Sequence, residues 1–359
     1  MNVVQIVGNK VWGGGERYVL DLCRALEADG HSVAVITRGK EAVDSRFRAA
    51  GFTPGRLPLG GLFDFISPGR LAVVLDRMDA PVVVHVHNFK TARIAVAARR
   101  MMKQPSKVRV VVTRHLVRPA KTDKSSLAIY RDVDAVVFVS ELARRAFVAT
   151  LPQGAVDESK FSVIHNAIVP PRNIEAAPKD ESELRIVYAG RICAEKGLDV
   201  LVKALSRLED IRALRLHLAG TGTPRDVERL MRLAASLGIA DRIEWHGHID
   251  NVWPLIASAD IAVLPSVVAE ALGLAVLEYM SCGVVPVCTS NGGATEIVDN
   301  GVNGLLVAPG DDVALADAIR RLASDNRLRA SMAGAALSTA TEKVSYEVFY
   351  RKILDIYRG

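Results

Sequence analysis

The chain has little of what marks a disulfide-stapled, zinc-bound or membrane-spanning protein. Only four cysteines occur in 359 residues, Cys23, Cys193, Cys282 and Cys288, each in or beside an apolar run. None is spaced as a metal ligand, so the pattern fits buried thiols in a reducing compartment. No apolar run approaches the roughly 20 residues needed to cross a bilayer. The first residues already read as a strand, without the basic region, apolar stretch and small-residue cleavage site of a secretory leader. The expectation is a cytoplasmic protein, soluble or peripheral on the inner face of the membrane. A dinucleotide fingerprint is also missing. The first strand runs into GNKVWGGGE rather than G-x-G-x-x-G, and no acid closes the second strand at 36–38. An oxidoreductase of that type is thereby disfavoured.

What is present suits a large packed core. Half of the residues are hydrophobic and 24% charged, and the length suggests about two domains. The net charge of +6 is unevenly spread. Residues 1–170 hold 25 Lys+Arg against 15 Asp+Glu, and residues 171–359 hold 21 against 25. Between His85 and Arg131, 12 basic residues face one acid, Asp123. A solvated helix face explains part of this excess. The remainder points to an anionic partner, either lipid headgroups or a phosphorylated acceptor. No nucleic-acid partner is expected.

Short β-rich runs alternate with helical patterns from end to end. Strands are predicted at 3–7, 33–37, 82–86, 108–113 and 135–139, and helices at 16–28, 67–78, 91–102 and 142–149. After a break the rhythm resumes with strands at 184–189, 215–218, 243–245, 261–264 and 284–287. Strands apolar on both faces and separated by helices imply parallel sheets covered on both sides. The break is VPPRNIEAAPKDESE, with three prolines, several charges and no apolar period. The expected organisation is a first α/β domain over 1–170, a linker over 171–183 and a second α/β domain over 184–342. A closing helix over 343–359 could pack back on the first domain. Two doubly wound domains would face each other across a cleft at the carboxyl ends of their strands, where helix N-termini point outward.

Two segments carry chemistry. PSVVAEALGLAVLEYMSCG, 265–283, puts Glu270 just before a helix, Gly273 at its start and Glu278 inside it. The free N–H groups at 273–275 make an anion seat, with a carboxylate on either side. Ionised acceptors form strong directional bonds to diols, so Glu278 suits a ribose and Glu270 the hydroxyls of a second sugar. Taken singly, Glu270 reads equally as a capping acid and Glu278 as an exposed helix residue. AGRICAEKGLDVL, 189–201, sets Arg191 and Lys196 around the next helix start. A guanidinium and an ammonium there can stabilise a diphosphate leaving group in place of a metal ion. The Asp132-Val133-Asp134 triplet invites a D-x-D metal reading, but it opens a strand far from the other motifs and no metal site is assigned.

These residues carry a resemblance. Gly13-Gly14-Gly15-Glu16-Arg17, SVIHNAI before the linker, Gly190-Arg191-x4-Lys196-Gly197, LAGTG, Glu270-x7-Glu278 and NGGATEIVDNGVNGLLV occur in that order. Together they resemble the retaining glycosyltransferases of family 4, which have the GT-B fold. The resemblance implies sugar transfer from a nucleotide-diphosphate sugar to an acceptor, with retained configuration, no metal and no other cofactor. It assigns Arg191 and Lys196 to the diphosphate, Glu270 to the donor sugar and Glu278 to the ribose. Gly273 and Leu274 would offer backbone N–H groups, and Gly14 and Gly15 would let a first-domain loop approach donor and acceptor. His115, at a predicted strand end, matches the family's active-site histidine, with His85 and His87 as competitors.

Two departures bear on the donor sugar: Leu272 where an aromatic is frequent, and Arg114 immediately before the histidine. The implied reaction is front-face substitution, in which a leaving phosphate oxygen helps remove the acceptor proton; it asks for positioning and charge stabilisation. The acceptor is expected to be a glycan, lipid-linked or otherwise anionic. Apolar residues at 60–66, with the basic segment 85–131, suggest contact with an anionic membrane surface. The alternatives are a nucleotide-sugar epimerase, a phosphorylase, or a non-catalytic nucleotide-sugar binding subunit. The last would be expected to lose Lys196, Glu270 or His115.

Overall fold

The computed structural model describes residues 1–60, 64–180 and 182–359. Positions 61–63 of the apolar 60–66 segment, and position 181 of the linker, lie outside the described residues. The chain forms two compact units, Met1–Asn166 with Tyr346–Gly359, and Ala167–Ser345.

The first unit alternates β1 (Asn2–Val7), α1 (Gly14–Ala28), β2 (Ser32–Thr37), α2 (Glu41–Ala49), β3 (Gly55–Arg56), α3 (Ile66–Asp76), β4 (Val82–Val86), α4 (Phe89–Met101), β5 (Val108–Arg114), α5 (Lys124–Asp132), β6 (Ala135–Phe138), α6 (Glu141–Val148) and β7 (Phe161–Val163). Every pairing is parallel, in the order β3-β2-β1-β4-β5-β6-β7. The valine-rich β4 is buried throughout, as a strand covered on both faces must be. α1 buries Tyr18, Val19, Leu22, Cys23 and Leu26 as one apolar stripe against the sheet.

The second unit has β8 (Leu184–Ala189), α7 (Leu198–Ser206), β9 (Leu214–Ala219), α8 (Pro224–Ser236), β10 (Ile243–Gly247), α9 (Trp253–Ala257), β11 (Ile261–Leu264), α10 (Leu274–Ser281), β12 (Val285–Thr289), β13 (Leu305–Val307), α11 (Asp312–Ser324) and α12 (Asn326–Ser338). Its sheet is also parallel, ordered β10-β9-β8-β11-β12-β13. Each unit is a doubly wound, Rossmann-like α/β domain. The order reverses between β1 and β4 in one and between β8 and β11 in the other, which opens a crevice at the carboxyl ends of those strands. The strands β3, β7 and β13 and the helices α2, α5, α11 and α12 are additions to the sequence-based expectation. Two or three residues of strand carry no period to read.

The last helix, α13 (Tyr346–Arg358), belongs to the first unit. Polar contacts tie it there. The Arg109 Nε donates to the Ile356 carbonyl at 2.8 Å, and the Tyr350 hydroxyl donates to Asp29 Oδ2 at 3.1 Å. Strand register sets Gln5 beside His85, two fully buried polar side chains in the sheet. The Tyr357 hydroxyl satisfies both, accepting from Gln5 Nε2 at 3.0 Å and lying 2.7 Å from His85 Nδ1.

A Tyr357→Phe substitution should strand both groups in the core. Leaving buried polar groups unpaired costs about 1–3 kcal/mol each. A clear fall in the urea midpoint of the first unit is expected; an unchanged midpoint would show that α13 docks by its apolar face alone.

Candidate active site

In the first unit, the ends of β1, β4 and β5 and the start of α1 enclose a cavity of about 290 Å³. Gly15, Glu16, Asn9, Asn88, His87, Arg114 and His115 line it. α1 begins after Gly13 with no side-chain cap, so its first N–H groups have no intrahelical partner. A Cβ built on Gly15 would meet nothing within 4 Å, so nothing in the unliganded protein demands glycine there. Burial raises the Glu16 carboxyl above the usual carboxylate range, opposed by a hydrogen bond from Asn9.

His115 stands at the end of a polar chain rooted in the core. The Tyr357 hydroxyl, already accepting from Gln5, donates to His85 Nδ1. His85 Nε2 then carries the proton and donates to Thr113 Oγ1 at 2.8 Å. On the other side, Gln5 Oε1 accepts from His87 Nε2 at 2.9 Å. That leaves His87 Nδ1 as the acceptor for His115 Nε2–H, 3.3 Å away. The network therefore sets the His115 tautomer, with Nδ1 bearing its lone pair. Tyr18 packs edge-on against His115 and His87. Burial disfavours the imidazolium at all three, holding His85 at about 3, His115 at about 4 and His87 well below its ordinary value. At neutral pH the trio is uncharged. Of the competitors of His115 in the sequence, His85 is fully buried and bonded to Tyr357 and Thr113, while His87 stands between Gln5 and His115 and lines the cavity with it.

In the second unit, the turn 194–196 after β8 meets the loop after β11. Val267 N–H donates to the Glu195 carbonyl at 3.0 Å. This approach requires Gly197: its φ is 65°, and a Cβ there would lie 2.0 Å from the Pro265 carbonyl oxygen. The result is an ion pair, Lys196 Nζ to Glu270 Oε2 at 2.7 Å. Ser266 Oγ donates to the other carboxylate oxygen. Gly293 N–H donates to the Glu270 carbonyl at 2.9 Å, and a Cβ on Gly293 would lie 1.9 Å from the Ala271 oxygen. The NGGATEIV motif thus braces the Glu270 loop from behind.

α10 starts at Leu274 after Gly273, which has φ 81° and no side-chain cap. Glu278 lies one turn on, partly exposed. α7 likewise starts after Gly197 without a side-chain cap. In contrast, α4, α5, α6, α8, α11 and α12 are capped by Asn88, Asp123, Ser140, Thr223, Asp311 and Asp325. The first N–H groups of α7 and α10 thus have no side-chain cap, an arrangement that can take an anion. Arg191 is exposed after β8, its carbonyl accepting from the Tyr188 hydroxyl at 2.7 Å. The fold therefore brings Lys196, Glu270 and Gly273 together in the second unit and Gly15 and His115 into one cavity of the first. Leu272 is core, 2% exposed.

Other candidates have structural employment. Asp134 pairs with Arg99 and accepts from Val110 N–H, and Asp132 pairs with Arg100. Much of the basic excess serves the fold: Lys107 donates to the carbonyls of Asp76 and Met78, and Arg131 to that of Ala155. Arg114 donates to the carbonyls of Arg118 and Pro119 and stacks on Phe147. The residues that sequence reasoning missed in the cavity are Asn9, Asn88 and Leu116. They stand on loops or helix starts, where no period points to them.

Two Rossmann-like domains with these glycine-started helices define a GT-B glycosyltransferase. Residues 12–172 match the model of Glycosyltransferase Family 4, and residues 171–338 match that of Glycosyl transferases group 1. The chain is a GT-B-fold glycosyltransferase related to both families. It is similar to D-inositol 3-phosphate glycosyltransferase of Xylanimonas cellulosilytica, 27% identical with 96% of this chain and 91% of the relative covered. An uncharacterized glycosyltransferase of Methanocaldococcus jannaschii is 30% identical over 56% of this chain, which spans about half, 54%, of that relative's length. Among solved structures, HepE of Anabaena in complex with UDP has the same fold, with TM-score 0.85, 18% identity and 99% of each chain covered.

Glycine substitutions separate packing from function. Gly15→Ala should leave thermal stability unchanged or slightly raised, since helical alanine is favoured over glycine by up to about 1 kcal/mol; a fall would mean the site is not open. Gly197→Ala should lower it. The histidines predict a pH dependence. The unfolded chain protonates histidine near its ordinary value of about 6.5, while the folded chain keeps His85 neutral down to about 3. The unfolded state binds more protons in that window, so stability falls as pH drops below about 6.5, by up to about 1.4 kcal/mol per pH unit for His85. Melting curves at pH 7.5, 6.5 and 5.5 should show this, with a shallower slope in His85→Asn. An equal slope in the variant would remove His85 as the cause.

Proposed function

We propose that this chain transfers a glycosyl group from a nucleotide-diphosphate sugar to an anionic acceptor, with retained configuration and without a metal ion. The observation that carries this reading is the Lys196–Glu270 pair beside the uncapped start of α10. An ammonium and bare N–H groups suit a diphosphate, and the adjacent carboxylate suits sugar hydroxyls. In the proposed arrangement Lys196 and Arg191 take the diphosphate, Glu278 the ribose, Glu270 the donor sugar, and Gly273 and Leu274 donate from the backbone. The second unit would thus hold the donor and the first the acceptor, with Gly14 and Gly15 giving close approach and His115 beside the reacting sugar. A neutral His115 accepts a hydrogen bond at Nδ1 without adding charge near a developing oxocarbenium ion. The UDP in the HepE structure supports a nucleotide donor. The inositol 3-phosphate in the name of the Xylanimonas relative supports a phosphorylated acceptor.

The test is a thermal-shift panel of UDP-, GDP-, ADP- and CDP-sugars with EDTA present. A ligand specific to the folded state raises the melting temperature. One nucleotide should stabilise the parent in EDTA and fail to stabilise Glu278→Ala. No shift with any of them would remove the nucleotide-sugar reading and favour a phosphorylase. Once turnover is found, the anomeric configuration of the product by NMR decides retention.

An anionic membrane surface is the favoured setting for the acceptor. No helix among the described residues is long and apolar enough to cross a membrane. α3 and its approach, however, expose Phe65 (83%), Ile66 (55%) and Val73 (53%), with Met101 of α4 (61%) close by. Arg70, Arg77 and Lys103 are exposed around them. Apolar side chains set among basic ones suit an interface of anionic headgroups. The protein should sediment with phosphatidylglycerol vesicles at low salt and not with phosphatidylcholine vesicles, and Phe65→Ser with Ile66→Ser should release it. Equal recovery in the supernatant with both lipids would refute the contact.

A further inference from the structure

At the edge of the second sheet is a group of side chains to which the proposed function gives no role. We propose that His217, Glu244 and His246 form a binding site for one divalent transition-metal ion, with Zn²⁺ as the probe. The site stands apart from the glycosyltransferase reading and needs no part of it. His217 lies on β9, and Glu244 and His246 lie on the edge strand β10. Register pairs Glu244 with His217, Trp245 with Leu218 and Gly247 with Ala219, so His246 is the extra residue of an irregularity in the pairing. Such a residue is re-aimed by the bulge. Here it is brought next to His217, with its ring nearly parallel at 5.1 Å between centroids.

The donor atoms converge. His217 Nδ1 is 2.9 Å from His246 Nε2 and 3.6 Å from Glu244 Oε2, and one ligand atom from each residue lies within 4.8 Å of the others. Nitrogens bind zinc at about 2.0–2.1 Å, so two on one ion are about 2.9 Å apart at a right angle and about 3.4 Å apart at the tetrahedral angle. The observed spacing already falls at the first value. Two imidazoles and one carboxylate suit zinc and its neighbours rather than magnesium or calcium.

An independent observation concerns the other side of the His217 ring. His217 Nε2 is 2.9 Å from Glu183 Oε1, and that carboxylate is held by Arg185 Nε at 2.7 Å. Arg185 is itself anchored by Nη1 to Ser258 Oγ at 2.6 Å. A carboxylate on Nε2 keeps the proton there and turns the Nδ1 lone pair toward the site, which is how metal-bound histidines are oriented. Without metal, His246 Nε2–H fills the gap by donating to Nδ1. On binding, that proton moves to His246 Nδ1, so the ring stays neutral and no net proton is released. Exposure rises outward, with the side chains of His217 at 4%, His246 at 23% and Glu244 at 63%. The ion can therefore enter from solvent and keep water on its open side. Once bound, it would pin the edge strand β10 to β9.

The experiment uses untagged full-length protein, stripped with chelator and titrated calorimetrically with zinc sulfate and, in parallel, magnesium chloride. One saturable equivalent of zinc is expected, with a raised melting temperature and no uptake of magnesium. His246→Ala and Glu244→Ala should each weaken zinc binding at least about tenfold. Glu183→Gln should weaken it within the roughly 10–100-fold range of an orienting partner. Glu244 is on the surface, so its variant reads ligand loss even where a histidine variant folds poorly. Absence of saturable zinc uptake would overturn the proposal. So would undiminished affinity in both His246→Ala and Glu244→Ala, which would put the ion on other donors such as His85, His87 and His115. These readouts do not involve sugar transfer, so their failure and that of the enzymatic reading are told apart.

Discussion

The second unit's site depends on one close approach, between the turn at 194–197 and the loop at 265–273. A methyl group on Gly197 would meet the Pro265 carbonyl at 2.0 Å, and one on Gly293 the Ala271 carbonyl at 1.9 Å. With hydrogen at both positions, three backbone segments stack at the carboxyl ends of β8, β11 and β12. The stacking brings an ammonium from one loop onto a carboxylate from another. It also leaves α7 and α10 to begin on glycine, with N–H groups that no side chain occupies. A charged ligand can then meet bare donors and a prepositioned cation with little reorganisation, the condition under which fixed dipoles stabilise charge best. Six other helices of the chain begin instead on a capping Asn, Asp, Ser or Thr.

The first unit solves a different problem, holding a histidine neutral and in one tautomer. Burial alone gives neutrality, but the tautomer needs a partner with a defined donor and acceptor. That partner comes from the far end of the sequence: Tyr357 on α13 reaches Gln5 and His85, and Gln5 passes the constraint through His87 to His115. Chain closure and site geometry are therefore one feature. The terminal helix satisfies two fully buried polar groups of the sheet, and the pattern of their bonds ends in the cavity.

The alternation of strands and helices was legible because strands buried on both faces are predominantly apolar, and β1, β4, β5, β8 and β11 have that character despite Gln5, His85, Arg109 and Arg185 within them. The bare starts of α7 and α10 were legible for a related reason: glycine without a neighbouring capping residue at a helix start is a visible omission. What stayed hidden was long-range. No local pattern links Tyr357 to His115, or shows that His85, His87 and His115 share one network. Strands as short as β3, β7 and β13 carry no period, and their places come from the sheet that precedes them. Glu270 and Lys196, 74 positions apart, were each ambiguous alone, and nothing local shows that the fold pairs them.

Charge was the least faithful guide. Twelve basic residues against one acid between His85 and Arg131 look like a surface for an anionic partner. Yet Arg99 and Arg100 hold the start of β6 through Asp134 and Asp132, and Arg109 anchors α13. Lys107, Arg114 and Arg131 spend their donors on carbonyls at turns. A parallel sheet explains the demand. Each strand ends in a loop whose carbonyls have left the ladder and must find donors near the surface. Long cationic side chains reach several at once while keeping their heads near water. Exposed cations with more freedom to meet an anion include Lys90, Arg118, Lys121 and Lys124 within the run, and Arg70, Arg77 and Lys103 flanking the exposed apolar face of α3. Arg70 and Arg77 lie outside the run that composition singled out, because a count along the chain is blind to where the fold places each cation: a head held on a carbonyl keeps its charge and adds to the surface potential, but only an untied one can close on a ligand.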